Sequence, residues 1–278
     1  MWSTVSAVAS EAKRDNATLL AAGVAFYAVL AVLPGIVLVL SVYGLFTDIA
    51  EAERQIDVLL GALPGAAARF LDEQMRLLSD ASHPHLTFGF LASTLALFWT
   101  VSNATRAIVR AVKIAYNQEH QRSPLESRPR VLALTVAAVI VGIMSIALIA
   151  AIPVWFSTLD TDHVIISLGN LRWLLILGGF ASMSVLLYRL VPPDRPQRMR
   201  SAFPGAIFAT LVWTITSIGF SVYIASFGRY NETYAGLGAV IILMLWFWLA
   251  ALTVIIGAEI NAVLDARGAH ASEPATSG

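Results

Sequence analysis

Apolar residues in this chain fall into six long, nearly uninterrupted blocks: Thr18–Phe46, Leu86–Val109, Val131–Phe156, Leu171–Val191, Ala202–Phe227 and Gly236–Leu264. Each exceeds the roughly 20 residues that a helix needs to cross a hydrocarbon core about 30 Å thick. At about 1.5 Å per residue the longer blocks overshoot that thickness, so they must tilt, kink or protrude. Pro34 and Pro153 mark expected kinks, because proline removes a backbone donor and crowds the preceding turn. The runs are too long and continuous for barrel strands, which alternate over about 10 residues. The pattern predicts an all-α polytopic membrane protein with six transmembrane helices.

The polar stretches between the blocks carry weaker patterns. In the long connection 47–85, Ile56, Leu59, Leu60 and Leu63 form one apolar stripe, and Phe70, Leu71, Met75 and Leu78 form another after Pro64. Two short amphipathic helices are expected there, with an acidic polar face from Asp48, Glu51, Glu53, Asp57, Asp72, Glu73 and Asp80. At the start, Trp2, Val5, Ala9 and Ala12 recur at helical spacing ahead of Lys13 and Arg14. That spacing fits an interfacial helix feeding the first span; a frayed polar terminus is the alternative. A cleaved signal peptide is not expected, since the first apolar run is too long for an h-region. Residues 1–265 read as one transmembrane domain, and 266–278, small, polar and Gly/Pro-containing, as a disordered tail.

Composition agrees with the blocks. Apolar residues make up 58% and charged residues 13% of 278 positions, against about 45–50% and about 25% in soluble domains. The chain has no cysteine, which excludes a disulfide framework, a thiolate metal site and a thiol nucleophile. Net charge is zero, so the location of the charges matters more than their sum. Arg110, Lys113, Arg122, Arg128 and Arg130 sit in one connection, and Arg189, Arg195, Arg198 and Arg200 in another. With six spans, the positive-inside rule places both connections and both termini in the cytoplasm. These loops read as topology signals against anionic headgroups, or alternatively as a site for a cytoplasmic partner. The 47–85 segment is then external.

Candidate chemistry is confined to a few polar groups inside apolar blocks. Glu259 and Asn261 lie near the cytoplasmic end of the sixth block, and Asn103 and Arg106 at the same depth in the second. A carboxylate in hydrocarbon is costly unless it is paired, neutralised or wetted. Depth alone allows a Glu259–Arg106 pair flanked by the two asparagines. Such a cluster either staples two spans together or lines a cytoplasm-facing cavity for a cation, a proton or a polar headgroup. In the fifth block, Thr210, Thr214, Ser217 and Ser221 continue a stripe that starts at Ala206. Small hydroxyl residues there suit close helix packing or the wall of a solute path. His83-Pro84-His85 has no evident third ligand, and its proline favours an extended link, so no metal or other cofactor is expected. No GxSxG, HExxH, phosphate-binding loop or dinucleotide fingerprint is present. The expectation is a protein that is not an enzyme and does not bind nucleic acid.

Several of these segments resemble the YihY/BrkB family of bacterial inner-membrane proteins. The match is strongest over Tyr230–Leu264, which is similar to the family pattern YxxTYGxLGAVIxLxLWxYxxxxxxLxGAEINAxL. Asp15-Asn16-Ala17-Thr18-Leu19-Leu20-Ala21-Ala22 resembles the family's entry into the first span, and Phe203-Pro204-Gly205-Ala206 the start of its fifth. Two positions depart from the pattern: Ala235 stands where glycine is usual, and Trp248 where tyrosine is common. The resemblance implies six spans in the inner membrane but no settled activity. Some members carry a ribonuclease label for which this sequence offers no site. Others are linked to serum resistance or to lipopolysaccharide-precursor movement. The expected function is transporter or flippase-like handling of an amphipathic envelope molecule, with membrane lipids as surroundings or substrate. The alternative is a non-transporting scaffold or envelope-integrity factor that uses the 47–85 helices to hold protein partners.

Overall fold

The computed structural model describes residues 2–46, 83–117, 129, 131–141, 162–191, 199–227 and 235–272. The described residues form seven helices and no strand. These are α1 (Trp2–Arg14), α2 (Ala17–Phe46), α3 (His83–Ala115), α4 (Val131–Val141), α5 (Asp162–Leu190), α6 (Met199–Phe227) and α7 (Ala235–Ser272). The all-α expectation therefore holds for the described residues. Three stretches among them are long and apolar enough to cross a membrane: Ala17–Gly35, Ser201–Val222 and Val240–Arg267. Val131–Val141 and Ile176–Leu190 are shorter apolar helices. The two amphipathic helices expected after residue 46 lie outside the described residues.

Helix ends differ from the apolar blocks where the flanking residues are themselves good helix formers. α3 begins at His83, so Pro84 occupies the first turn of a helix instead of an extended link. Proline is tolerated there, because the N–H it lacks has no intrahelical acceptor. α7 runs to Ser272, so 266–272 continue the last helix and are not part of a disordered tail. The alanines and Arg267 in that stretch favour the helix.

The short helix α1 meets α2 at a two-residue elbow. Asn16 has φ 52°, the left-handed conformation that ends helices and that asparagine tolerates better than most residues. Its carbonyl accepts the backbone N–H groups of Leu19 at 2.9 Å and Leu20 at 3.1 Å. One residue thus ends α1 and starts α2. Val8 is buried and Ala12 packs on the core, so α1 is an ordered helix and not a frayed end.

Two small-residue cores hold the bundle. In the first, Ala17 and Ala21 of α2 meet Ala111 of α3 and Ala251 and Ile255 of α7. In the second, Val109 and Val112 of α3, Leu134 of α4, Leu187 and Tyr188 of α5, Ala202 and Ala206 of α6 and Ala258 of α7 pack together. Alanine lets membrane helices approach closely enough for dispersion to hold them without a hydrophobic drive. The opposite side of α6 exposes Phe203, Ile207, Leu211, Ile215, Ile218 and Val222. That spacing of three or four residues is one continuous helix face, suited to lipid.

Candidate functional site

The polar residues of α7 point two ways. Gly257 and Asn261 lie four residues apart, on the side that meets α6. Asn261, 0% exposed, accepts the Gly205 N–H at 2.8 Å and donates to the Ala202 carbonyl at 3.2 Å. Pro204, which has no N–H to give the helix, lies between the two groups that the amide bonds. The helices touch through bare backbone. A side chain at Gly205 would collide with the Gly257 carbonyl and sit 2.6 Å from the Asn261 amide nitrogen. One at Gly257 would strike the Tyr188 hydroxyl and lie 2.7 Å from the Gly205 carbonyl. The Tyr188 hydroxyl itself donates to the Val254 carbonyl at 2.7 Å, which ties α5 into the same crossing.

Glu259 lies on another side of α7. It continues the face of Ala251 and Ile255, the face packed on α2, and it is 1% exposed. It looks onto the α1–α2 elbow, where the Asp15 carboxyl is its hydrogen-bonding neighbour and Glu11 and Arg14 are nearby charges. Glu259 Oε1 and Asp15 Oδ2 are both buried without a hydrogen-bond donor. Asp15 Oδ1 accepts the Arg14 Nε–H at 3.2 Å.

Arg14 organises the elbow. It pairs with Glu11 one turn back in α1 and with Asp15, and its Nη2 donates to Asn117 Oδ1 at 3.0 Å. Asn117 has φ 55° and ends α3, so Arg14 joins two helix ends that both close on left-handed asparagines. The hydrogen bond to Asp15 and the charge of Glu11 hold the guanidinium pKa above its ordinary value, with Glu259 adding to the effect.

This arrangement corrects the expected pairing. Arg106 does not meet Glu259. It is exposed and donates along its own helix to Asn103 Oδ1 at 3.4 Å, while Asn103 donates to the Trp99 carbonyl at 2.9 Å. Equal depth brought the two spans' polar groups to one level, but α3 turns Arg106 outward while its Ala111 faces α7. Of the four expected cluster residues, Glu259 and Asn261 are buried on different faces of α7, and Asn103 and Arg106 keep to α3. The hydroxyl stripe of α6 is committed mostly to backbone. Thr210 and Thr214 donate to the carbonyls four residues earlier, Ser217 accepts the Trp246 indole N–H at 3.2 Å, and Ser221 is exposed.

Sequence patterning does not single out Glu11, Arg14, Asp15 or Asn117 as site residues. The available signal was Asp15-Asn16 itself, a turn-forming pair between two helical patterns, preceded by a basic residue and an acid three positions earlier. Trp248, the departure from the family pattern, keeps a donor at its position: its indole N–H bonds the Thr18 carbonyl at 3.0 Å. Among the described residues, no group of three or more acids or histidines is arranged to hold a metal ion.

Comparison with known proteins agrees with the resemblance noted in the sequence. The model of the family Virulence factor BrkB matches residues 8–277. A ribonuclease-like protein, YfkH of Bacillus subtilis (strain 168), is 35% identical over 190 residues; the match spans 66%, just under two thirds, of each chain. A UPF0761 membrane protein of Alteromonas mediterranea is 25% identical over 258 residues, covering 91% of this chain and 84% of the relative. Another, of Tolumonas auensis, is 27% identical over 263 residues, covering 90% and 81%. No solved structure matches the chain. With its apolar helices and a family match over nearly its whole length, the chain belongs to the Virulence factor BrkB family of membrane proteins.

Proposed function

We propose that this protein is a multi-pass inner-membrane transporter of flippase-like type that handles an amphipathic envelope molecule, with both termini in the cytoplasm. The observation that carries the reading is Glu259: a carboxyl 1% exposed whose Oε1 has no donor, at the end of a helix otherwise apolar enough to span a bilayer. A staple is satisfied by its partners, as Asn261 is. A buried acceptor left open beside a polar elbow suits a headgroup that brings its own hydroxyl or amine donors. The exposed apolar face of α6 gives acyl chains a surface continuous with lipid. Topology follows from the basic residues of the Arg110–Arg130 and Arg189–Arg200 connections. The ribonuclease-like name of the Bacillus relative is not carried over, because the sequence carries no hydrolase motif and, among the described residues, no three acids or histidines converge to hold a metal ion.

Native mass spectrometry of the full chain in gentle detergent tests the reading. A discrete lipid retained by the wild type and released by Glu259→Gln is the expected result. Equal retention, or none in either, with both proteins folded, would favour a scaffold that works through protein partners.

A further inference from the structure

The elbow places three carboxyl groups, Glu11, Asp15 and Glu259, around one guanidinium, Arg14. Arg14 is engaged by Glu11 and by Asp15 Oδ1. Three acid oxygens of this group are buried without a hydrogen-bond donor, Glu259 Oε1, Asp15 Oδ2 and Glu11 Oε2, and of these Glu11 Oε2 is ion-paired with Arg14, which leaves the Asp15 and Glu259 oxygens. Glu259 is 1% exposed and the Asp15 side chain 10% exposed, so water screens neither well. Two carboxylates in that position repel across a poorly polarisable gap, and both leave an acceptor unsatisfied. A single O–H between them removes one charge and satisfies both oxygens.

We infer that Asp15 and Glu259 form a carboxyl–carboxylate pair that binds one exchangeable proton and, by doing so, holds the α1–α2 elbow against α7. The step is a proton transfer only. One proton from water adds to a carboxylate oxygen to form an O–H bond, and its release restores the second anion. No electron moves and no other bond changes.

The surrounding elements support a proton over a larger cation. The strongest charges on Glu259 come from the elbow: Asp15, Glu11 and Arg14. α2 brings only Tyr27 among its described side chains, and α6 brings no ionisable group over 201–222. α3 carries Arg106, Arg110 and Lys113, with Tyr116 just past its end, and α1 carries Lys13; Arg106, Arg110 and Lys13 are exposed. α5 carries Tyr188, whose hydroxyl bonds Val254, and Arg189, which is exposed. Further along α7 itself lie Asp265 and Arg267. No basic side chain from these elements stands in for the missing donor, and the acids do not converge as metal ligands do. Losing the proton sets Asp15 and Glu259 against each other and weakens the hold of the elbow on α7, leaving α1 attached through Val8, Ala12 and the Arg14–Asn117 hydrogen bond. Use of this proton to drive or gate passage of an amphipathic molecule rests on the transport reading above. Proton binding itself does not.

Infrared spectroscopy of the full chain in lipid nanodiscs tests the pair. At neutral pH the wild type should show the carbonyl stretch of a protonated carboxyl, and alkaline titration should remove it. Glu259→Gln should lack that band. Asp15→Asn, a change in the turn between α1 and α2 that leaves the sequence of α7 intact, should shift it and serves if the Gln variant fails to fold. Hydrogen exchange through residues 10–20 should rise on the order of tenfold across the same titration in the wild type and stay flat in Glu259→Gln. Absence of the band in the wild type, persistence in both variants, or stabilisation of the elbow by sodium at fixed pH would overturn the proposal. A protein that keeps the band but moves no lipid would keep the proton site and discard the transport reading.

Discussion

Asn261 and Glu259 are two residues apart on one helix and have opposite fates. At 3.6 residues per turn they face nearly opposite ways. Asn261 meets a neighbour prepared for it, with Gly205 supplying a bare backbone and both ends of the amide bonded. Glu259 meets an elbow that brings more acid, and one of its oxygens is left without a donor. The first contact has no capacity left over, and its role is to fix where α6 and α7 cross. The second has capacity left over, which is what a binding or switching site requires. Burial alone does not separate structural from functional polar groups in this bundle; satisfaction of their hydrogen bonds does.

The contrast can be broken most violently at the crossing. Gly205→Ala should cost on the order of 3 kcal/mol or more, because the new methyl group collides with α7 backbone that cannot yield. Loss of folded protein in detergent and a large fall in melting temperature would be the readout, and Gly257→Ala should behave alike. Asn261→Ala should cost about 2 kcal/mol, since it removes the buried amide that bonds the Gly205 N–H and the Ala202 carbonyl of α6. Thermal unfolding of that variant with unchanged stability would remove the staple assignment. Glu259→Gln should change stability by less than about 1 kcal/mol, because glutamine keeps the shape and can donate to Asp15. If it unfolded as readily as Asn261→Ala, the two faces of α7 would not differ in kind. Arg14→Gln should leave the bundle folded but speed hydrogen exchange a few-fold around the elbow and the end of α3, where Arg14 links Glu11, Asp15 and Asn117. Smallest of all, Thr210→Val and Thr214→Val should each shift stability by less than about 0.5 kcal/mol, since these hydroxyls return to their own helix. A loss of lipid binding in either would restore the stripe as a path.

The sequence made the helices legible because hydrocarbon allows so few alternatives. A long apolar run must satisfy its backbone internally, so α2, α6 and α7 follow from composition and length. It also made Glu259 and Asn261 conspicuous as polar groups in an apolar run. It did not say which neighbour each would meet. Depth is readable from position along a span, and it placed Glu259 level with Arg106. Rotation about the helix axis is set by packing, and Ala17, Ala21 and Ala111 turn that face of α7 toward α2 and the elbow instead. Asp15 was legible as a turn residue and illegible as a partner, because its role arises only when Asn16 folds α1 back at a left-handed φ. The hydroxyl stripe was legible as spacing only: a Thr hydroxyl within reach of its own helix carbonyl takes that bond, as Thr210 and Thr214 do, while Ser217 reaches the neighbouring helix.

The central claim is that Glu259 is kept for function and not for folding. The most direct measurement is translocation of a fluorescent amphipathic lipid across proteoliposomes, comparing wild type and Glu259→Gln at equal amounts of folded protein. The account predicts movement in the wild type and its loss in the variant, with matched melting temperatures. Equal movement in both, or activity lost only in step with unfolding, would contradict it.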